Sequence, residues 1–370
     1  MKQYLVELKK IAENYENYQQ IDELQNHLYA LASMIEIDAK EEEKIPIKAS
    51  DIVNTVVANF FKSNTESDSV KSGIEALDSV IHGFHKGEFI VIGGRPGMGK
   101  TQFSVQLAAN MAKQNKVVAF LSLEMSAEVI TKKFLCNLGQ LSPSVFDRLN
   151  DYSPEIESSL SGAIKKLKEL PIYLYENPSP SLNKLIGLIK KVVEEQKVNV
   201  VFIDYLQLIS VGSRRLNRDS EMSIICRDLK KLAMNLGITI IVSSQLSRQV
   251  ENRVSGSRRP HLSDLRESGA IEQDADKVIF LYRPEYYGIE IDENNQPTKN
   301  KMELIISKNR NGPLMDVIVL AALSKSTIVD MDYNKEHTFL RTPNIKINSN
   351  RLRDLEDDSD EDINDIIRKK

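Results

Sequence analysis

Eight consecutive residues, Gly94, Arg95, Pro96, Gly97, Met98, Gly99, Lys100 and Thr101, have the spacing G-x-x-x-x-G-K-T of a phosphate-cradling loop. Glycines let backbone N–H groups turn inward around phosphate oxygens, and the helix that must follow adds its positive end. In such a loop Lys100 reaches the β- and γ-phosphates, and the Thr101 hydroxyl ligates Mg2+. From average residue frequencies, a chance match in a chain of this length is on the order of one in a hundred, so binding of ATP or GTP is expected. Asp204 closes the apolar run "VVFIDY", where a carboxylate either holds the Mg2+ through water or starts a turn. Glu124 closes "VVAFLSLE" and is either the general base on an attacking water or the cap of the next helix. Gln245 closes "ITIIVSSQ" and either senses the γ-phosphate or makes a local polar bond.

These side chains need strands to carry them, and the pattern supplies eight. Apolar runs "EFIVIGG", "KVVAFLSLE", "PIYLYE", "VNVVFIDY", "GITIIVSSQ", "DKVIFLY", "KMELIISK" and "DVIVLAA" read as strands, with helices after "GKT", "EMS", "SPS", "RDS" and "ESG". Near-continuous apolar strands separated by helices predict a mainly parallel sheet covered on both faces, its last two strands forming an antiparallel hairpin around an Asn-Gly turn. Upstream, apolar residues from Leu5 to about Ile37 recur at spacings of three and four, predicting one long helix or a helical hairpin with a break near Asn17 to Gln20. "AKEEEKIPIKA" reads as a linker. Ser50 to Phe61 reads as a short apolar helix capped by Ser50, whose face must dock on something else.

The run "SKNRNGP" places Lys308 and Arg310 on the same side of a strand end. A solvated tip accounts for them; so does a role for their charge elsewhere. With 41% apolar and 28% charged residues, the composition is that of a globular chain. No apolar run approaches a membrane span and "MKQYLVELKKIAENYENY" is no signal peptide, so a cytoplasmic protein with no membrane partner is expected. Cys136 and Cys226 stand apart, and His82 and His85 have no acidic or Cys partners nearby, so neither disulfides nor a zinc site is expected. Five Lys/Arg against eight Asp/Glu in residues 351–370 account for most of the formal net charge of −4. The body is therefore near neutral, and any nucleic-acid contact must come from local basic loops.

Taken in order, "GIEALDSVIHGFHKGEFIVIGGRPGMGKT", "FLSLEMS", "VFIDYLQLI", "VSSQLSR", "HLSDLRESGAIEQDAD", "LYRPEYY" and "SKNRNGP" resemble the replicative DNA helicases of the DnaB family, from about Ala49 to Leu320. The resemblance implies an α/β, RecA-like P-loop ATPase with a mainly parallel central sheet flanked by helices. It implies a homohexameric ring that uses ATP and Mg2+ to move 5′ to 3′ along single-stranded DNA in replication. A primase or helicase loader is the implied further partner. By the same resemblance Glu124 is the base, Asp204 the metal aspartate, and Gln245 the link between nucleotide and DNA. Arg266, Glu267 and Gly269 hold the DNA backbone, and Lys308 and Arg310 serve the nucleotide of a neighbouring subunit. An arginine that the family places near the neighbouring nucleotide corresponds here to Lys133.

Two stretches read as DNA loops on physical grounds as well. "GSRRLNRDS", with Arg214, Arg215 and Arg218, and the segment from Ser247 to Gly269, with Arg248, Arg253, Arg258, Arg259 and Arg266, are basic and devoid of Phe, Tyr and Trp. Such loops can follow phosphates but cannot stack bases, so binding is expected to depend on salt and not on sequence. The expected organisation is a short helical amino-terminal segment (1–45) in place of the family's folded amino-terminal domain, a linker with its docking helix (46–71), the ATPase domain (72–345) and an acidic tail (346–370). The alternative reading is a RecA-like, DNA-dependent ATPase that does not unwind.

Overall fold

The computed structural model describes residues 2–13, 24, 28, 31, 48–53, 57, 69–147, 153–212, 217–253, 258–265, 269–292 and 295–331. All eight expected strands form. They are β3 (Phe89–Gly94), β4 (Val118–Ser122), β5 (Ile172–Glu176), β6 (Val200–Asp204), β7 (Thr239–Gln245), β8 (Lys277–Tyr282), β9 (Lys301–Asn309) and β10 (Asp316–Ala322). Their lateral order, with a further strand β11 (Thr327–Asp330), is β11-β10-β9-β8-β3-β7-β6-β4-β5. Neighbours from β8 to β5 run parallel, and β9, β10 and β11 continue antiparallel. A separate pair, β1 (Ser69–Val70) with β2 (Phe84–His85), sits beside the sheet's entry.

Alternation along each central strand explains why the sheet is covered on both sides. Ile90, Ile92, Val118, Phe120, Val200 and Phe202 enter one apolar core, while Phe89, Val91, Ala119, Leu121, Val201 and Ile203 enter the other. Such two-sided burial is what near-continuous apolar runs require. The helices are α1 (Lys2–Glu13), α2 (Glu75–Ile81), α3 (Lys100–Lys113), α4 (Ala127–Gly139), α5 (Pro154–Glu169), α6 (Leu182–Gln196), α7 (Arg218–Leu236) and α8 (Gly269–Asp274). The tripeptide "SPS" occurs twice: Ser142–Ser144 leads into a 3-10 turn, and Ser179–Ser181 leads into α6. Helices α2 and α5 were not expected. α5 alternates charge with apolar positions and buries only Ala163 fully, so its signal is weak.

Three local expectations change. First, β9 and β10 are not joined by a two-residue turn. Their pairing begins at Ile305↔Asp316, whereas β9 runs on to Asn309 along β8, past a bulge at Val278/Ile279. Neither Asn311 nor Gly312 has the positive φ that a tight hairpin turn demands. The loop is instead held by Asn309, whose Nδ2 donates to Pro313 O at 3.2 Å. Second, the helix of the linker already includes Ala49, and the Ser50 hydroxyl bonds the Asp51 carboxylate, so Ser50 is not its cap. Residues 49–53 and 57 are helical, with Ile52, Val53 and Val57 exposed. Third, α1 starts at Lys2, before Leu5; the expected break near residues 17–20 lies outside the described residues.

Candidate functional site

The first strand of the parallel set, β3, feeds α3 through the glycine-rich loop, and the chain then skips two positions to β4, leaving β7 and β6 to fill the gap later. A crevice at the carboxyl edge of such a sheet is where α/β folds bind ligands. Register fixes what lines it: Gly94 lies opposite Gln245, and Ser122 lies opposite Asp204, with Glu124 two residues further on. The four sequence candidates thus converge from four strands on one edge.

Gly97 and Gly99 have φ of 81° and 93°, which only glycine adopts readily. A Cβ on Gly97 would also come within 2.7 Å of the Tyr286 ring. Phe103 N is the first amide to find an intrahelical acceptor, Gly99 O at 2.8 Å, so the N–H groups of Lys100, Thr101 and Gln102 are left for a ligand. Lys100 Nζ folds back onto the carbonyls of Gly94 (2.8 Å) and Arg95 (3.3 Å). Burial lowers the Lys100 pKa to about 8, with the Asp204 and Glu124 carboxylates pulling the other way. An ammonium kept among carbonyls and short of a full counter-charge suits an incoming phosphate.

Met98 is buried in the core, so it offers only its backbone to the loop. Arg95 likewise turns its side chain away: Nη1 donates to Leu246 O at 2.7 Å and Nη2 pairs with Glu251 at 2.9 Å. Thr101 Oγ1 donates to Asp204 Oδ2 at 2.7 Å, and the Ser243 hydroxyl donates to the other Asp204 oxygen. A hydroxyl and a buried carboxylate in contact offer two oxygen donors to a hard cation. No cluster of three or more His, Cys, Asp or Glu exists among the described residues. These donors fit Mg2+, which keeps several waters and leans on one carboxylate and substrate phosphates.

Glu124 is not the helix cap. Ser126 is, accepting from Val129 N at 3.3 Å, and Glu176 of β5 accepts from Ala127 N. The Glu124 carboxylate is exposed and makes no hydrogen bond or ion pair among the described residues. The position of α4 is set by Phe134, whose ring meets Phe120 of β4 edge-on at 5.8 Å, and Phe120 stacks on Phe202 of β6 at 5.7 Å. Lys133 on the same helix is partly buried and, among the described residues, has no ionic partner.

Lys308 and Arg310 point the same way, as alternation predicts, but nowhere near the glycine-rich loop. Lys308 pairs with Val278 near the start of β8, and Arg310 N donates to Asp276 O, whose own amide bonds Phe89 O at the start of β3. Both cations therefore sit at the amino edge, a strand length from Lys100. They close the carboxyl end of α8: Lys308 Nζ donates to the carbonyls of Glu272 and Gln273, and Arg310 Nη2 to Gln273 O at 2.7 Å. Burial and the neighbouring Arg310 lower the Lys308 pKa.

Residues 69–328 match the family described as "DnaB-like helicase C terminal domain". This chain belongs to that family. It is 41% identical over 246 residues to a probable plasmid replicative DNA helicase of Chlamydia psittaci, covering 66% of this chain and 52% of that protein. Identity to the replicative DNA helicase DnaB of Geobacillus stearothermophilus is 39% over 251 residues, 67% of this chain and 54% of that one. The chain spans about half the length of these curated relatives. Among solved structures, a DnaB-like replicative helicase studied with primase aligns with a TM-score of 0.69 at 32% identity, over 90% of this chain and 76% of that one. A solved ATPase domain gives 0.68 at 34%, over 76% of this chain and 99% of that chain.

Of the residues expected from the sequence to contact DNA, two lie among the described ones. Arg214, Arg215, Arg266 and Glu267 lie outside the described residues. Gly269 is exposed at the start of α8, and the exposed Arg258 lays its guanidinium over the Tyr287 ring at 5.1 Å. Arg218, grouped with the basic loop by sequence, is engaged inward with Glu221 and with Gln207 O, the latter at 2.7 Å. Arg253 and Arg259 are also paired, with Asp264 and with Glu303 and Asp316. Charge counting along a loop cannot distinguish a phosphate contact from a staple within the loop. Sequence reasoning missed Gln207, whose side chain bonds the backbone of Gln245. A polar residue inside the apolar "DYLQLI" was its only signal.

Proposed function

We propose that this chain is the motor of a replicative DNA helicase: a homohexameric ring that hydrolyses ATP with Mg2+ and moves 5′ to 3′ on single-stranded DNA in the cytoplasm. The observation that carries the ring is the separation of Lys308 and Arg310 from the loop of their own subunit. Hydrolysis builds negative charge on the γ-phosphoryl oxygens, and Lys100 faces only part of it. A cation at the opposite sheet edge can complete that site only in another copy of the chain, and head-to-tail contacts that repeat this way close into rings.

In this reading Glu124 accepts a proton from the attacking water. The new oxygen–phosphorus bond forms as the bond to the bridging oxygen of the leaving ADP breaks. Thr101 and Asp204 would hold Mg2+, which would supply neutralisation of the phosphate charge. Lys100 and the free amides of α3 hold the phosphates, Arg310 and Lys308 of the next subunit stabilise the transferring group, and Gln245 relates its presence to the DNA loops. Arg214, Arg215, Arg258, Arg266, Glu267 and Gly269 are the proposed DNA contacts, with Gly269 acting through its main chain.

The exposed Ile52, Val53 and Val57 support a linker helix that docks on the adjacent subunit, between the amino-terminal segment (1–45) and the motor domain (72–345). A primase is the further partner proposed by kinship with the primase-associated structure above, and a helicase loader by resemblance to the family. The deciding experiment mixes an Arg310→Ala chain with a Lys100→Ala chain. Each is expected to be inactive alone, and mixed rings are expected to regain ATPase activity at the interfaces where an intact Lys100 meets an intact Arg310. No recovery at any mixing ratio overturns the shared site. ATP-dependent displacement of a strand from a fork with a 5′ tail separates a helicase from a DNA-dependent ATPase that does not unwind.

A further inference from the structure

Strand β7 pairs with β3 as far as Gly94↔Gln245, but with β6 only as far as Ile203↔Val242. Beyond Val242 the β6 side of β7 has no ladder partner, and unpaired backbone at a part-buried site is costly. Gln207 fills that place from the turn Leu206–Leu208 that follows β6. Its Oε1 accepts from Gln245 N at 3.2 Å, and its Nε2 donates to Gln245 O at 3.1 Å and to Ser244 Oγ at 2.9 Å. One primary amide thus stands in for a neighbouring strand. It does so at the residue that lies opposite Gly94 and whose own side chain makes no hydrogen bond among the described residues.

The same residue is held from the other side. Arg218 Nη2 donates to Gln207 O at 2.7 Å, and Arg218 opens α7 directly behind residues 213–216, which include Arg214 and Arg215. Glu221 fixes Arg218 and accepts from Val211 N at 2.8 Å, so both ends of that basic segment are tied to one carboxylate. Gln207, Arg218, Ser244, Gln245 and Asp264 border a cavity of about 20 Å³, room for a single water. Asp264 stands two residues before Arg266. The end of β7 is therefore linked to Arg218 through Gln207 and, by way of Ser247 N donating to Asp264 O at 3.1 Å, to Asp264, through short polar contacts and not through a continuous ladder. Rotation of the Gln207 side chain releases both backbone bonds to Gln245 at once, whereas a strand would have to slide.

We infer that Gln207 is a positioning residue that holds the backbone of Gln245, and so sets how strongly hydrolysis responds to single-stranded DNA. The inference rests on the reading of Gln245 as the link between nucleotide and DNA. The test measures steady-state ATPase of the full chain with and without a poly-dT oligonucleotide, together with oligonucleotide affinity. The variants are Gln207→Met, which keeps the length but neither bond, and Gln207→Glu, which keeps the acceptor and loses the donor.

In Gln207→Met the ratio of stimulated to basal rate is expected to fall about tenfold, the size of an ordinary coupling between sites, with oligonucleotide affinity held within about threefold. Gln207→Glu is expected to fall between it and the unmodified chain. An unchanged ratio, or basal and stimulated rates that drop in proportion, overturns the inference, the second result being that of a merely structural residue. If thermal melting finds Gln207→Met unfolded, Gln207→Glu decides alone by the same ratio. An unmodified chain whose ATPase ignores the oligonucleotide overturns the parent reading and this inference together. A responsive chain with an equally responsive variant overturns only the inference.

Discussion

The two edges of the parallel sheet are both rich in charge, yet they are built on opposite principles. At the amino edge the buried charges are matched among the described residues. Lys277, fully buried, donates to both oxygens of Glu88, and Lys230 pairs with Asp276 at 2.6 Å. Asp276 also accepts from Phe89 N and lies 3.4 Å from Arg310. At the carboxyl edge the groups are underused. The carboxylate of Glu124 is unpaired among the described residues, the Gln245 side chain makes no hydrogen bond among them, and Lys100 rests on carbonyls. The desolvated Lys100 ammonium near the phosphate loop is a stability cost retained for a ligand, whereas the amino edge is a satisfied network that fixes the sheet. Lys308 and Arg310 belong to the satisfied edge by contact but are half-exposed at its rim, where a neighbour can compete for them.

That contrast can be broken at four points, in falling order of expected effect. Arg310→Ala is expected to lower ATP turnover by about 10³ to 10⁵ in the assembled protein, as loss of a trans-acting arginine does. Its melting temperature should barely move, because an exposed ion pair contributes about 0–1 kcal/mol. A variant as unstable as it is inactive would assign Arg310 to the amino-edge network instead. Glu124→Gln is expected to lower kcat by about 10² to 10⁴ while leaving nucleotide affinity near its original value, checked by pairing turnover with a binding titration.

Lys277→Ala probes the satisfied edge. It leaves Glu88 buried without its counter-ion, so denaturant unfolding should report a loss of about 3–5 kcal/mol. Nucleotide affinity of the protein that remains folded should be unaffected. The smallest effect concerns pH. The phosphates favour charged Lys100, whose pKa in the empty site is lowered to about 8. Below that pH the ammonium is already present and affinity should be flat. Above it a proton must be taken up on binding, so Kd should rise by up to about tenfold per pH unit. A Kd that stays flat from pH 7 to 9.5 would remove Lys100 from phosphate binding.

Much of this was legible in the chain itself. The glycine-rich loop dictates its own geometry, because positive φ at Gly97 and Gly99 is a local property of residues without a Cβ. The central strands β3, β4, β6, β7 and β8 announced themselves by near-continuous apolar runs, since a strand buried on both faces has little room for a polar side chain. Asp204, Glu124 and Gln245 stood out as chemically capable polar residues closing such runs. Less visible were α2, α5 and β11, whose faces are partly exposed or whose length is short, so no period develops. The tight Asn-Gly turn was misread because turn chemistry is local, while the run of β9 along β8 is set by a partner remote in sequence.

The sequence by itself therefore determined the phosphate loop, the parallel sheet and the polar residues at its carboxyl edge, all of them consequences of short-range pattern. Only the tertiary structure decided which charges are available. It turned Arg95, Arg218 and Arg253 inward to carboxylates and carbonyls and put Lys308 and Arg310 at the edge remote from their own loop. It also gave Gln207 the backbone of Gln245. Strand register and three-dimensional proximity settle such pairings, and neither is written in the identity of a single residue.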